Sequence, residues 1–181
     1  IDQNLAPESF DAVNICGVLE HLKDPDALLS EALRLLKSEG LLVILVPDIR
    51  SFEFQLGREN WFHLDLPFHL FHFTERGLDR LLRKKGFKIN KVKRFHLEYS
   101  PFGWLQTLLN VSKIRFNLFY DLLKSGSLRG EKADSIDFTG IIATLFLLPV
   151  YFPLSLLFSI LEPVLFRRGG IIQVYASKEE I

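Results

Sequence analysis

The chain has 181 residues, of which 22 are Lys or Arg and 22 are Asp or Glu, so its formal net charge is zero. This balance argues against a protein that binds nucleic acid through a basic surface. Hydrophobic residues make up 48% of the sequence, enough for one domain of ordinary size to form a core without disulfides. The single cysteine, Cys16, excludes an internal disulfide and a zinc site built from several thiolates, and it favours a reducing, cytoplasmic compartment.

The first fifty residues have the pattern of a strand–helix–strand unit. Residues 10–16 form a short apolar run typical of a buried strand. Asp24 followed by Pro25 predicts the start of a helix, and apolar residues at helical spacing extend it over 27–37. Residues 41–46 are all apolar, which is typical of a strand covered on both faces in a parallel sheet. The unit therefore indicates an α/β fold.

The later elements are predicted with the same criteria. They are a long connection rich in aromatic residues and histidine over 49–73, a helix over 74–85, a strand over 87–95, an amphipathic helical stretch over 103–124, and a last strand over 171–176.

An uncharged stretch of 24 residues, 138–161, has the length of a membrane span. Pro149 and Pro153 interrupt it, so the sequence predicts two short helices that meet near these prolines. If 171–176 returns to the sheet, both ends of the stretch lie on one side of a membrane. The alternatives are a bent hairpin that dips into the membrane interface and a helical pair packed on protein. In the hairpin, four cations lie at the level of the lipid headgroups: Arg129, Lys132, Arg167 and Arg168.

Several motifs occur together in one order along the chain. The run Val18-Leu19-Glu20-His21 follows the first strand, Leu35-Leu36-Lys37-Ser38-Glu39-Gly40 precedes the second, and a Trp/His-rich segment covers 61–74. With Glu98-Tyr99-Ser100-Pro101-Phe102-Gly103 further on, the sequence resembles the class I S-adenosylmethionine-dependent methyltransferases, and within them one bacterial branch.

The resemblance implies the C-terminal part of a Rossmann-like sheet, with strands four to seven and the last strand antiparallel. Residues 1–101 and 168–181 would form this partial α/β domain, and residues 102–167 would form a helical, hydrophobic insertion. The first three strands and the glycine-rich loop of the family have no counterpart here, and the chain contains no Met. We therefore expect a fragment that is inactive alone.

The resemblance also implies the cofactor, S-adenosylmethionine, at the carboxyl ends of the strands, where ligands of open parallel sheets bind. It assigns cofactor contacts to the residues that follow the first strand, namely Cys16, Gly17, Val18 and Glu20. Methyl transfer mainly requires alignment of donor and acceptor. A base is needed only for an acceptor that loses a proton, and an imidazole serves near neutral pH. His21 and His69 are the predicted catalytic residues, with loop-holding hydrogen bonds as the alternative role.

The polar and aromatic residues of the long connection are candidates for binding the acceptor: Asp48, Trp61, His63, Asp65 and His72. Three roles compete for the histidines of this loop. His63, His69 and His72 with Asp65 offer donors for a metal, but the spacing lacks a metalloprotease pattern, and we predict no metal. Acceptor-pocket groups and packed loop histidines are the two favoured roles.

These inferences lead to a methyltransferase fragment with an unknown acceptor, for which a lipid-linked or envelope-related molecule suits a peripheral place at the inner face of the membrane. No nucleic-acid partner is expected. Two rival hypotheses stay open. One is a non-catalytic, membrane-associated module on a methyltransferase-like scaffold, and the other is an interaction protein whose region 103–166 buries a partner helix.

Overall fold

The structure is a computed structural model that describes residues 5–125 and 137–179. Its described part contains a four-stranded sheet built from β1 (Phe10–Cys16), β2 (Leu36–Pro47), β3 (Phe87–Lys93) and β4 (Ile171–Lys178). The strand order is β1-β2-β4-β3. β1 and β2 are parallel, and β4 is antiparallel to both of its neighbours. The predicted α/β fold and the predicted antiparallel last strand are both confirmed.

β2 is longer than the sequence predicted, because it starts at Leu36 and not at 41. Leu36 pairs with Phe10 before the register shifts, and the regular ladder resumes at the pair Ala12 and Leu41. Gly40 lies within this irregular part, where a Cβ atom would come 2.8 Å from Leu36 Cδ2. The glycine therefore allows a tight strand irregularity and does not end the preceding unit.

Six α-helices lie in the described residues, and their bounds are α1 Pro25–Leu35, α2 Phe52–Gly57, α3 Glu75–Lys84, α4 Tyr99–Val111, α5 Leu118–Ser125 and α6 Phe138–Phe166. The predicted starts of α1 and α3 are confirmed. Asp24 accepts a hydrogen bond from the Ala27 amide, and Thr74 accepts one from the Gly77 amide. Such caps satisfy backbone donors that have no partner within the helix.

The single helical stretch predicted over 103–124 is wrong. α4 ends at Val111 and α5 begins at Leu118, with Lys113 and Asn117 in the left-handed region at φ of 59° and 58°. Side-chain amides stabilise the break, since Asn110 Oδ1 accepts from the Asn117 amide at 2.9 Å. Apolar spacing continues across the break, so the spacing alone does not reveal it.

The expectation of two short helices meeting at Pro149 and Pro153 is also wrong. α6 is one helix of 29 residues, with Pro149, Pro153 and Pro163 inside it. Each internal proline costs about 3 kcal/mol in an isolated helix. Packing of α6 along α4 offsets this cost, and Pro149 and Pro153 are exposed. The membrane arrangement of Arg129 and Lys132 falls outside the described residues.

The chain forms two compact units, which we describe separately. The first comprises residues up to Ile49, Leu66–Arg94 and the residues from Ile171 onward, and the second comprises Arg50–Asp65 and Phe95–Gly170. Residues 50–65 and 95–101 therefore group with the helical region, whereas the sequence suggested a boundary at 102. The core of the first unit includes Leu29, Leu42, Ile44, Leu78, Leu82, Phe87 and Ile172. The second unit is built around α4, which is buried along most of its length.

Candidate active site

The carboxyl end of β1 opens into a sharp turn at Gly17. This residue has φ of +61°, and its amide donates to the Leu45 carbonyl at 3.0 Å, which extends the pairing with β2. A Cβ atom at Gly17 would meet nothing nearer than Glu20 Oε1, at 4.0 Å. Glycine is therefore required for the backbone conformation, and the space in front of it is open. Cys16 and Val18, on either side, are exposed.

Backbone hydrogen bonds bring His69 to His21 within the first unit. Residues 19–21 form a single 3-10 turn, and the Glu20 carbonyl accepts from the amides of Leu70 at 2.8 Å and Phe71 at 3.1 Å. The imidazole rings of His21 and His69 consequently lie edge to face with centroids 4.6 Å apart. The two residues predicted to be catalytic are therefore neighbours, 48 positions apart in sequence.

The loop also determines which nitrogen of His21 carries hydrogen. Nδ1 of His21 lies 3.1 Å from the Phe68 carbonyl oxygen. A carbonyl oxygen only accepts hydrogen bonds, so Nδ1 donates and Nε2 is the acceptor nitrogen of the neutral ring. The His21 side chain is exposed, so Nε2 is placed to accept a proton from a bound molecule.

Glu20 is buried beside the two histidines, with 3% of its surface exposed. Burial raises the pKa of its carboxyl group above the ordinary value, although a backbone hydrogen bond and the charge of His21 oppose the rise. Oε2 of Glu20 has no hydrogen-bond partner among the described residues. One ligand atom each of Glu20, His21 and His69 lie within 4.8 Å of one another. The cluster can share a proton or bind a divalent cation.

Asp48 and His72 lie in the same unit. Asp48 follows β2, is buried, and forms an isolated parallel bridge with Phe73. Its position is at the carboxyl end of β2, the strand beside β1. The His72 and His69 ring centroids are 6.5 Å apart. The structure therefore collects Cys16, Gly17, Val18, Glu20, His21, Asp48, His69 and His72 in the first unit.

The other predicted acceptor residues belong to the second unit. Trp61 is fully buried, and its Nε1 donates to Glu53 Oε1 at 2.9 Å. His63 Nε2 lies 3.8 Å from the same Glu53 oxygen. Asp65 is exposed in the left-handed region at φ of 37°. The four side chains considered as metal ligands therefore lie in different units, with His63 and Asp65 in the second and His69 and His72 in the first. Trp61 packs in the interior of the second unit.

Two buried carboxylates of the second unit, Glu53 and Glu162, were not predicted from the sequence. Glu53 is 0% exposed, and burial together with the nearby charge of Glu162 raises its pKa to about 8. Glu53 Oε1 also accepts from Thr107 at 3.1 Å, and a side chain at Gly170 would collide with the Glu53 carboxylate. Glu162 accepts from the Phe52 amide at 2.6 Å and from Trp104 Nε1 at 3.0 Å. One signal was available, because Glu162 is the single charged residue within α6.

Comparison with known families identifies the N-terminal half of the chain, which contains most of the first unit and the segment Arg50–Asp65 of the second. Residues 3–92 match the model of a family described as a methyltransferase domain. This segment belongs to that family. The match covers β1, β2, the Glu20–His21 motif and the histidine loop, and it confirms the predicted methyltransferase family. S-adenosylmethionine, the cofactor expected from the resemblance, is the cofactor that this family implies. No curated protein matches the sequence.

Solved structures share the fold at low sequence identity. The 4+2 cyclase SpnF has a TM-score of 0.50 and 16% identity, over 98% of this chain and 53% of that protein. A protein of Galdieria sulphuraria, provisionally assigned as a sarcosine dimethylglycine methyltransferase, has a TM-score of 0.50 and 14% identity, over 97% of this chain and 56% of that protein. The chain spans little more than half the length of these proteins.

The residues at the end of β1 fit part of a cofactor site of the methyltransferase domain. The space in front of Gly17 is open, and the exposed Val18 offers an apolar surface beside it. Ligands of parallel sheets bind at this edge. Cys16, Gly17 and Val18 would therefore be the residues that contact S-adenosylmethionine from this segment.

Proposed function

We propose that the methyltransferase domain transfers a methyl group from S-adenosylmethionine to an acceptor held at the carboxyl ends of β1 and β2. The observation that carries the proposal is the convergence of Glu20, His21 and His69 at that edge. The cofactor supplies an electrophilic methyl group on a sulfonium sulfur. The protein supplies position and, for an acceptor that loses a proton, a base.

Each residue of the cluster has a distinct part in this proposal. His21 Nε2 accepts the proton of the acceptor, because Nδ1 is already engaged with the Phe68 carbonyl. The Glu20 carboxylate stabilises the imidazolium that results, at short range in a buried place. His69 packs edge to face against His21 and holds the orientation of its ring. Asp48, at the end of the adjacent strand, is the proposed contact for the acceptor.

The test uses the full-length protein with S-adenosylmethionine labelled in its methyl group. Total lipid and small-molecule extracts serve as acceptor sources, and label in a product is the readout. We expect label transfer by the parent and a loss of about 100-fold in His21→Ala, the lower range for a missing general base. The matched control is His96→Gln, a histidine of the second unit. Cofactor binding without any transfer would support the rival hypothesis, a non-catalytic module on this scaffold.

The location and acceptor class form the second part of the proposal. A protein at the inner face of the membrane meets lipid-linked and envelope-precursor acceptors, and the exposed apolar surface of α6 supports this location. Extraction of the labelled product into the lipid fraction is the expected result. Label found only in water-soluble products would contradict the lipid-linked acceptor and leave methyl transfer itself supported.

A further inference from the structure

α6 has its small and polar residues inside and its large apolar residues outside. The buried residues of this helix are Gly140, Thr144, Ser155, Ser159 and Glu162. The exposed residues include Ile142, Leu145, Phe146, Val150, Phe152, Leu157, Ile160, Leu161, Val164 and Leu165. A surface helix of a water-soluble protein has the opposite pattern, with a polar outer face.

The outer apolar face is too broad for one partner helix. At about 100° per residue, the five buried residues occupy an arc of roughly 100°, and the exposed apolar residues occupy roughly 220° of the remainder. A packed helix covers a stripe of about 100°. A continuous apolar medium covers the whole arc. Phe146, which is 79% exposed, lies near the middle of the outer face.

We infer that α6 is an interfacial membrane helix that lies parallel to the bilayer plane, with its outer face in the boundary between headgroups and acyl chains. The occupant is lipid, and the helix does not cross the bilayer. This inference concerns the second unit, and it stands whether or not methyl transfer is found.

The contact between Ser112 and Tyr151 distinguishes an α6 that lies parallel to the bilayer plane from an α6 that crosses the bilayer. The two hydroxyl oxygens are 2.8 Å apart, and Tyr151 lies at the middle of α6. The 29 residues of α6 extend over about 43 Å, more than a hydrocarbon core about 30 Å thick. If α6 crossed the bilayer, the exposed Lys113 would lie near its centre, where a charge costs about 3 kcal/mol. With α6 parallel to the plane, Lys113 stays on the aqueous side.

The charges of α6 and its C-terminal end agree with this orientation. Glu162 points away from the outer face and binds the Phe52 amide and Trp104. Arg167, which is exposed, and Arg168, which lies over the Phe52 ring, follow the helix directly. Cations at an interface attract anionic headgroups by about 1 kcal/mol each. We therefore expect tighter binding to anionic than to zwitterionic bilayers.

The first experiment measures flotation of the full-length protein with vesicles of phosphatidylcholine alone and with one quarter phosphatidylglycerol. We expect binding to both, stronger with phosphatidylglycerol. Phe146→Asp should weaken partitioning at least 10-fold. The matched control is Leu97→Asp, because Leu97 is also 79% exposed but lies outside α6, and it should bind as the parent does. Equal melting temperatures of the parent and the two variants exclude misfolding as the cause of weaker binding. Failure of the parent to bind either vesicle overturns the inference and favours a protein partner or a second copy.

The second experiment measures depth. Tryptophan is placed at Val150 in one variant and at Val164 in another, and quenching by lipids brominated at different chain positions is compared with the parent. A parallel helix predicts equal, shallow depths for both sites. A deep position for Val150→Trp with a shallow one for Val164→Trp would show that α6 crosses the bilayer and would overturn the inference.

Discussion

The Nδ1 atom of His21 lies 3.1 Å from the carbonyl oxygen of Phe68, so a loop residue determines the hydrogen-bonding state of a residue 47 positions earlier. The same loop is attached to the Glu20 carbonyl through the amides of Leu70 and Phe71. The orientation of His21 and the position of His69 therefore depend on one loop conformation. Changes within this loop should affect both histidines together.

His69→Ala tests this dependence. We expect turnover by the full-length protein to fall at least 10-fold, because His21 loses the ring that packs against it, while the melting temperature changes little. In the double variant with His21→Ala, the losses should not add, since both act through one imidazole. Steady-state kinetics with the true acceptor gives the comparison. Full activity in both single variants would show that the pocket is elsewhere.

Zinc should inhibit methyl transfer. Glu20, His21 and His69 place one ligand atom each within 4.8 Å of one another, and two imidazoles with a carboxylate suit Zn²⁺. A bound cation would engage the imidazole of His21 and remove the base. Inhibition is measured as turnover against the free zinc concentration. Glu20→Gln should weaken inhibition at least 10-fold, whereas Glu75→Gln, outside the cluster, should leave it unchanged. Equal inhibition of both variants would place the zinc elsewhere.

Stability should fall as pH rises from 5 to 8. The folded-state pKa of Glu53 is raised to about 8 from 4.5, so the folded chain binds more protons than the unfolded chain between these values. The free energy of unfolding then decreases with pH, by up to about 1.4 kcal/mol per pH unit from this group. Glu53→Gln keeps an oxygen acceptor for Trp61 and Thr107, so its stability should vary less with pH.

Denaturant titrations at several pH values check this prediction. Glu59→Gln is the matched control, because Glu59 is exposed in the same segment and should leave the pH dependence of the parent intact. An identical pH dependence in the parent and in Glu53→Gln would show that Glu53 does not hold a proton near neutral pH.

Residues 1–181 should bind S-adenosylmethionine weakly or not at all. The sequence contains no Gly-x-Gly-x-x-Gly turn, which in dinucleotide-binding folds brings backbone amides close to the ligand. The contacts available from Cys16, Gly17 and Val18 form one side of a site. Isothermal titration calorimetry on this polypeptide measures the affinity, and micromolar binding would contradict the expectation.

Local patterns in the sequence were sufficient for most of the first unit. The uninterrupted apolar run at 41–46 indicated a covered strand, Asp24 and Thr74 marked two helix starts, and residues 171–176 were recognised as a strand. Each of these signals arises from residues close together in the sequence, so it can be interpreted without knowledge of the tertiary structure. The motif around Glu20 and His21 was likewise visible because all of its members follow one strand.

Long-range contacts decided the remainder. The break between α4 and α5 depends on Asn110 and Asn117, and the continuity of α6 across Pro149 and Pro153 depends on packing along α4. Glu53 and Glu162 are 109 positions apart, so no local pattern predicts that they share a buried environment. The sequence by itself determined the α/β class, the family and the catalytic candidates, because hydrophobic period and motif order are local properties. Only the tertiary structure decided that His21 meets His69 while His63 meets Glu53, because burial and hydrogen bonding between distant segments depend on the folded chain.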